Sequence, residues 1–104
     1  MKICFVDSTK LEYSFQDINN QKIRGAESIL INLSKALSLN GLDIMVFTNC
    51  EKENSQKNYS WLNLNKIDGF KNNFDIVISN NDTQILNKFN CKKKFVISHS
   101  IQSI

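Results

Sequence analysis

Several residues of this chain have side-chain types and positions suited to binding or transforming a small molecule. His99 is the single histidine and stands between two serines, where its imidazole can donate a hydrogen bond or stabilise developing charge. Gly25 opens a helical pattern, and a glycine there lets backbone N–H groups approach an anion. Asp7 ends the first apolar run, and Asn80 and Asn81 follow a later one. Position alone leaves open a half-exposed loop histidine and a glycine that serves only a tight turn.

Several well-defined site patterns are missing from the sequence. Neither the dinucleotide pattern GxGxxG nor the phosphate-binding pattern GxxxxGK[ST] occurs, which disfavours a nicotinamide dehydrogenase or a P-loop enzyme. Ser98 and Ser100 lack the GxSxG turn of a serine nucleophile. Cys4, Cys50 and Cys91 form no CxxC pair, so we expect no zinc site, and their odd number fits a reducing cytoplasm. Cys4 lies in an apolar run and is predicted to be a core residue.

Length and charge restrict the class of protein further. The 104 residues suffice for one small domain, and 41% of them are hydrophobic, which is enough for a buried core. A net charge of +3 with a single arginine disfavours nucleic-acid binding. The run Lys92–Lys94 is interpreted as a solvated loop, with weak contact to anionic lipid or a phosphorylated ligand as the alternative. No apolar segment is long enough for a signal peptide or a membrane span, so we expect a cytoplasmic protein.

The elements that must position these residues alternate between strand and helix. A buried strand over 3–6 is followed by a helix that begins at Gly25 and ends at Asn40-Gly41, with Gly41 as its left-handed C-terminal residue. A second buried strand covers 44–47, which completes one βαβ unit. The inward stripe of the helix is predicted to be Ala26, Ile29, Leu30, Leu33, Ala36 and Leu37.

The second half of the sequence continues the alternation with shorter elements. We predict strands over 59–64, 74–78 and 95–97, helical turns within 66–73, and a short helix capped by Asp82 that reaches Phe89. Residues 8–24 and 49–58 show no period. The whole predicts an α/β, Rossmann-like domain with a mainly parallel sheet and helices on both faces. Ligands of such sheets bind beyond the carboxyl ends of the strands, which is where the candidate residues fall.

The segment from Arg24 to Leu37, with Gly25-Ala26-Glu27 at its start, resembles the beginning of the family-four retaining glycosyltransferases of the GT-B fold. In that family the usual form is Gly-Gly-Ala-Glu, an aliphatic helix ending in glycine, and a strand ending in threonine, as 40–48 has here. Segments 74–79 and 95–100 are similar to later strands of the same domain. The resemblance spans most of the chain, with one departure, because Arg24 stands where the first glycine is usual.

The resemblance implies transfer of a sugar from a nucleotide-sugar to an acceptor with retained anomeric configuration, as in a hexosyltransferase, and without a metal or other cofactor. His99 would be the catalytic residue that contacts the transferred sugar. Gly25 would lie near the donor phosphate and the acceptor. The donor- and acceptor-binding residues that the resemblance suggests are Arg24, Gly25, Asn80, Asn81 and Ser100.

We expect residues 1–104 to form one truncated, acceptor-side domain, an incomplete GT-B N-terminal domain that is inactive without the donor-binding half. The expected partners, reached through a longer parent, are a nucleotide-sugar and a sugar or lipid-linked acceptor. Two other classes stay open. One is a non-catalytic Rossmann-like binding module or degenerate remnant, and the other is a receiver phosphorylated at Asp7.

Overall fold

The chain folds around one six-stranded sheet. The structure, a computed structural model, describes residues 1–14, 16 and 25–98. Within this part, the elements in chain order are β1 (Lys2–Val6), α1 (Gly25–Leu39), β2 (Asp43–Thr48), β3 (Asn54–Gln56), β4 (Tyr59–Asn63), a 3-10 helix (Leu64–Gly69), β5 (Ile76–Asn80), a second 3-10 helix (Gln84–Lys88) and β6 (Lys93–Ile97). The strand order is β3-β4-β2-β1-β5-β6, and only β3 and β4 pair antiparallel. An α/β fold with a mainly parallel sheet is therefore confirmed.

The sheet separates two apolar clusters. Ile3 and Phe5 of β1 point to the face that Leu30 of α1 covers, while Cys4 and Val6 point to the opposite face. Among the described residues that second face is covered by the two 3-10 helices instead of an α-helix, so the prediction of helices on both faces is not confirmed. The connections after β4 and β5 are rich in Asn and Asp, which favour turns and caps over helix interiors.

Helix α1 has the predicted limits but buries a different stripe. Gly41 has φ +89°, the left-handed conformation expected of the residue after the helix. Ile29 and Leu33, predicted to face the core, are 46% and 36% exposed. The buried residues are Glu27, Leu30, Ile31, Ser34 and Ser38. The predicted stripe is therefore wrong in part, because the small Ser34 faces the sheet, with its hydroxyl 2.8 Å from that of Tyr59.

Apart from β3, the remaining elements match the predictions with small shifts of their limits. The strand predicted over 74–78 lies at Ile76–Asn80, and β3 was not predicted at all. Asp82 acts as predicted at the start of the second 3-10 helix, since its Oδ1 accepts a hydrogen bond from the Gln84 backbone N–H at 2.9 Å. Leu86 and Phe89 are buried on the inner side of this segment, and Cys4 is a core residue.

Candidate functional site

Two neighbouring parallel strands bring the candidate polar residues together. β1 and β5 pair directly, with Val6 opposite Ser79, so the residues that follow them meet at the carboxyl edge of the sheet. Asp7 follows β1, Asn80 ends β5, and the amide Nδ2 of Asn80 donates to the carbonyl oxygen of Ala26 at 3.2 Å. That bond fixes the first turn of α1 above the ends of both strands.

Asp7 is the centre of a buried hydrogen-bond network at this edge. Its Oδ2 accepts from the Tyr13 hydroxyl at 2.6 Å and from Asn80 Nδ2 at 3.1 Å, while its Oδ1 accepts from the Thr9 backbone N–H at 3.0 Å. The Asp7 side chain is only 5% exposed. Burial, reinforced by the negative charge of Asp7, raises the pKa of Tyr13 well above its ordinary value, so the phenol stays protonated as a donor.

A second polar chain extends this network toward β2 and β4. The Thr48 hydroxyl donates to the carbonyl oxygen of Tyr13 at 2.8 Å and accepts from Trp61 Nε1 at 2.7 Å. The rings of Tyr13 and Trp61 meet edge to face, with centroids 6.0 Å apart. Residues of β2 and β4 thus hold the backbone and ring of Tyr13 in place beside Asp7.

Asp82 organises the loop after β5. Its Oδ2 accepts from the Ser8 hydroxyl at 2.6 Å, and its Oδ1 accepts from the backbone N–H groups of Gln84 and Ile85 at 2.9 and 3.4 Å. Led by the Ser8 hydrogen bond, these contacts lower the pKa of Asp82. The loop turns at Asn81, which has φ 65°, a conformation that asparagine tolerates better than most residues.

These residues enclose a cavity of about 260 Å³ between the ends of β1 and β5 and the start of α1. The described lining residues are Asp7, Ser8, Thr9, Ala26, Glu27, Asn80, Asn81 and Asp82. Three of them carry carboxylates, and none is a lysine or an arginine. A ligand in this cavity therefore meets hydrogen-bond acceptors and formal negative charge.

Two larger cavities on the described part of the chain are less well equipped for chemistry. The cavity at the amino ends of the strands has about 330 Å³ and is lined by residues such as Lys2, Asp43 and Lys57, which are exposed. Another, of about 450 Å³, lies among exposed residues such as Lys52 and Glu53. We favour the carboxyl-edge cavity because Asp7, Glu27 and Asn80 are buried in its lining and converge there, and because Asp7 and Asn80 are held by hydrogen bonds.

The structure brings together part of the predicted site. Asn80 and Asn81 line the cavity, and Gly25 begins α1 beside it, while their roles in binding an acceptor or donor stay predictions. Nothing lies within 4 Å of a Cβ added to Gly25, so neighbouring atoms leave open space there. Arg24, His99 and Ser100 lie outside the described residues, and their predicted roles stay predictions.

Sequence reasoning missed two residues that the structure places at the centre. Tyr13 sits in a stretch without any hydrophobic period, and its one signal was an aromatic side chain among polar ones. Glu27 was noted only as part of the Gly25-Ala26-Glu27 segment, and that place in the segment was the available signal. Tyr13 was missed because the loop after β1 folds back on the strand ends, and Glu27 because the rotation of α1 turns it inward; no local pattern records either.

The structure also bears on the remaining expectations. Within residues 1–14, 16 and 25–98, no three His, Cys, Asp or Glu side chains are arranged to hold a metal ion. No helix in the same part of the chain has the length and apolar character needed to cross a membrane. Comparisons of the chain with protein-family models, with curated proteins and with solved structures return no match.

Proposed function

We propose that this chain is the acceptor-side, N-terminal portion of a GT-B glycosyltransferase, a Rossmann-like domain whose donor-binding half lies in a longer parent. The observation that carries the proposal is the cavity between the ends of β1 and β5 and the start of α1. Open parallel sheets bind ligands at this edge, and the Gly25-Ala26-Glu27 turn on which the resemblance depends borders it.

In this proposal the acceptor enters the carboxyl-edge cavity, where Asn80 and Asn81 contribute to its lining. The nucleotide-sugar is held mainly by the other half of the parent, with its phosphate near Gly25 and Arg24. His99 contacts the transferred sugar and stabilises charge that develops at the reacting centre. The reaction transfers the sugar with retention and uses no metal, and Ser100 contributes to binding.

A receiver function fits the site less well. Phosphorylation of Asp7 requires an accessible carboxylate oxygen, yet both oxygens already accept hydrogen bonds and the side chain is 5% exposed. A non-catalytic binding module on the same fold would use the same cavity without His99. A measurement of sugar-transfer activity therefore distinguishes such a module from the enzyme.

The test is release of nucleotide from a panel of nucleotide-sugars by the full-length parent that contains these residues. We expect release with at least one donor, and a fall in kcat of about 100-fold or more in His99→Ala, the usual scale for loss of one charge-stabilising donor. Lys92→Ala, an exposed position before β6, serves as the matched control and should retain activity. Absence of nucleotide release with every donor, or an unchanged kcat in His99→Ala, would count against the proposal.

A further inference from the structure

The cavity contains one carboxylate for which the described structure supplies no partner. Glu27 lies in the first turn of α1, lines the cavity and is only 9% exposed. Among the described residues, no hydrogen bond or ion pair reaches its carboxylate. No fully buried side-chain oxygen of the described residues lacks a hydrogen-bond partner, so the unbonded oxygens of Glu27 reach the open space of the cavity. Glu27 therefore presents open acceptor positions to whatever enters the cavity.

The other two carboxylates of the cavity differ from Glu27 in being occupied. Asp7 accepts three hydrogen bonds, from Tyr13, Asn80 and Thr9. Asp82 also accepts three, from the Ser8 hydroxyl and two backbone N–H groups. Their donors fix both side chains, so they contribute negative potential and a fixed shape, while Glu27 is the group left to bind.

The start of α1 accounts for only part of the burial of Glu27. A carboxylate in the first turn is favoured by the helix dipole. The dipole supplies no hydrogen bond to the carboxylate, and since no fully buried side-chain oxygen of the described residues lacks a partner, the Glu27 oxygens face the space of the cavity. A ligand that brings several N–H donors and a positive charge would supply what the helix does not.

We propose that the carboxyl-edge cavity binds the ammonium group of a small amine, with Glu27 as its counter-charge. An ammonium carries three donors and no acceptor, which matches a cavity bordered by three carboxylates and by no described lysine or arginine. The same charge repels phosphate. The cavity, at about 260 Å³, is below the roughly 300–1,000 Å³ of pockets for larger ligands, so it suits a single small ring.

The identity of the amine rests on the proposed function, which makes it the acceptor and hence an amino sugar. Gly25, near which the donor phosphate is proposed to lie, is not among the residues that line the cavity. The ammonium of the acceptor and the phosphate of the donor would therefore bind at separate places. The ammonium would lie between the strand ends, and the phosphate would lie outside the cavity that the three carboxylates border.

The experiment is a titration of the ¹⁵N-labelled 104-residue chain followed by its backbone amide signals, at pH 6.5 and low salt. Glucosamine is compared with N-acetylglucosamine, which has the same ring without the charge, and with inorganic phosphate and Mg²⁺. We expect glucosamine to shift the amides of Ala26, Glu27 and Asn80 saturably, with a Kd at least tenfold below that of N-acetylglucosamine. Binding should weaken as salt is added.

The protein-side variant is Glu27→Gln, which should remove that tenfold preference, while Asp43→Asn at the exposed start of β2 should retain it. Since the two sugars are compared on the unaltered chain, the test does not depend on the variant folding. Equal affinity for both sugars, absence of saturable glucosamine binding, or tighter binding of phosphate or Mg²⁺ at these amides would overturn the inference. Amine binding together with a transferase-inactive parent would reject only the proposed function, and transfer to an uncharged acceptor without amine preference would reject only this inference.

Discussion

The carboxyl ends and the amino ends of the same strands, which form the carboxyl edge and the amino edge of the sheet, differ in the burial of their polar residues. At the carboxyl edge the polar residues Asp7, Thr48, Ser79 and Asn80 are all at most 5% exposed. At the amino edge the polar residues Lys2, Asp43, Asp75 and Lys93 are exposed. Sheet geometry does not require this difference, since parallel pairing satisfies the backbone equally along each strand.

The contrast has an energetic consequence. Polar groups at the amino edge can exchange protein partners for water, so losing one partner costs little. Groups at the carboxyl edge are inside the protein, where removing one partner leaves the others buried and unsatisfied. The carboxyl edge therefore concentrates buried polar groups that depend on one another for hydrogen bonds. Four substitutions test whether the two edges differ as strongly as their burial indicates.

The largest effect is expected for Asp7→Ala. This change removes an acceptor from three donors, namely the Tyr13 hydroxyl, the Thr9 N–H and Asn80 Nδ2, of which Asn80 Nδ2 keeps its hydrogen bond to the Ala26 carbonyl oxygen. At about 1–3 kcal/mol for each buried unsatisfied group, partly relieved by water, we expect a loss of about 3 kcal/mol in the free energy of unfolding. Urea unfolding provides the measurement, with Asp43→Ala as the amino-edge control at less than about 0.5 kcal/mol. Similar losses of stability in both variants would show that the carboxyl edge is no more sensitive than the amino edge.

A smaller effect is expected for Thr48→Val, which keeps the side-chain shape but removes the hydroxyl. Trp61 Nε1 and the Tyr13 carbonyl both lose a buried partner, so we expect about 2 kcal/mol of destabilisation. Thr83→Val is the matched control, because Thr83 is exposed and makes no capping hydrogen bond with its side chain. A loss below about 0.5 kcal/mol in Thr48→Val would mean that water replaces the hydroxyl and that this part of the edge is not closed.

The third prediction concerns pH and the phenol of Tyr13. Because burial raises the pKa of Tyr13 in the folded chain, the folded state keeps a proton that the unfolded state releases near pH 10. This contribution to stability is complete below about pH 10 and is lost as the pH rises above that value. The expected slope is about 1.4 kcal/mol per pH unit for one proton.

Urea unfolding of the unaltered chain and of Tyr13→Phe between pH 9 and 11.5 measures this slope. The unaltered chain should lose stability more steeply above pH 10, whereas the variant lacks the ionisable group. The pKa of Tyr59 is raised too, by its burial, but Tyr59 is present in both proteins and cancels in the difference. Parallel curves would show that the Tyr13 phenol is open to solvent, against the burial on which the contrast depends.

The sequence predicted the strands and the helix better than the side-chain contacts at the two edges. Apolar runs and the Gly41 helix end located β1, β2, α1 and the later strands, because buried strands and helix caps have local signatures. β3 was missed because its residues, Asn54–Gln56, are polar and because it is an outermost strand of the sheet. Such a strand is determined by its partner β4 and not by its own composition.

The site was harder to predict because its contacts link distant parts of the chain. The parallel sheet allowed the prediction that the candidate residues lie beyond the carboxyl ends of the strands, and the pairing of β1 with β5 then brings Asn80 to Asp7. The rotation of α1 that turns Glu27 into the cavity and leaves Leu33 partly exposed has no local signature. It follows from Ser34 packing against β4, a tertiary contact that overrides the apolar stripe.

The smallest effect is expected for Asp75→Ala, which is the amino-edge counterpart of Asp7→Ala. Asp75 Oδ2 accepts from the Lys2 backbone N–H at 2.8 Å, a hydrogen bond similar in type to the one Asp7 accepts from Thr9. The two differ in environment, since Asp75 and Lys2 are both exposed. Water replaces the lost partner, so the free energy of unfolding should change by less than about 0.5 kcal/mol. A loss above about 1.5 kcal/mol would mean that the carboxylate hydrogen bonds themselves, and not their burial, determine the loss of stability.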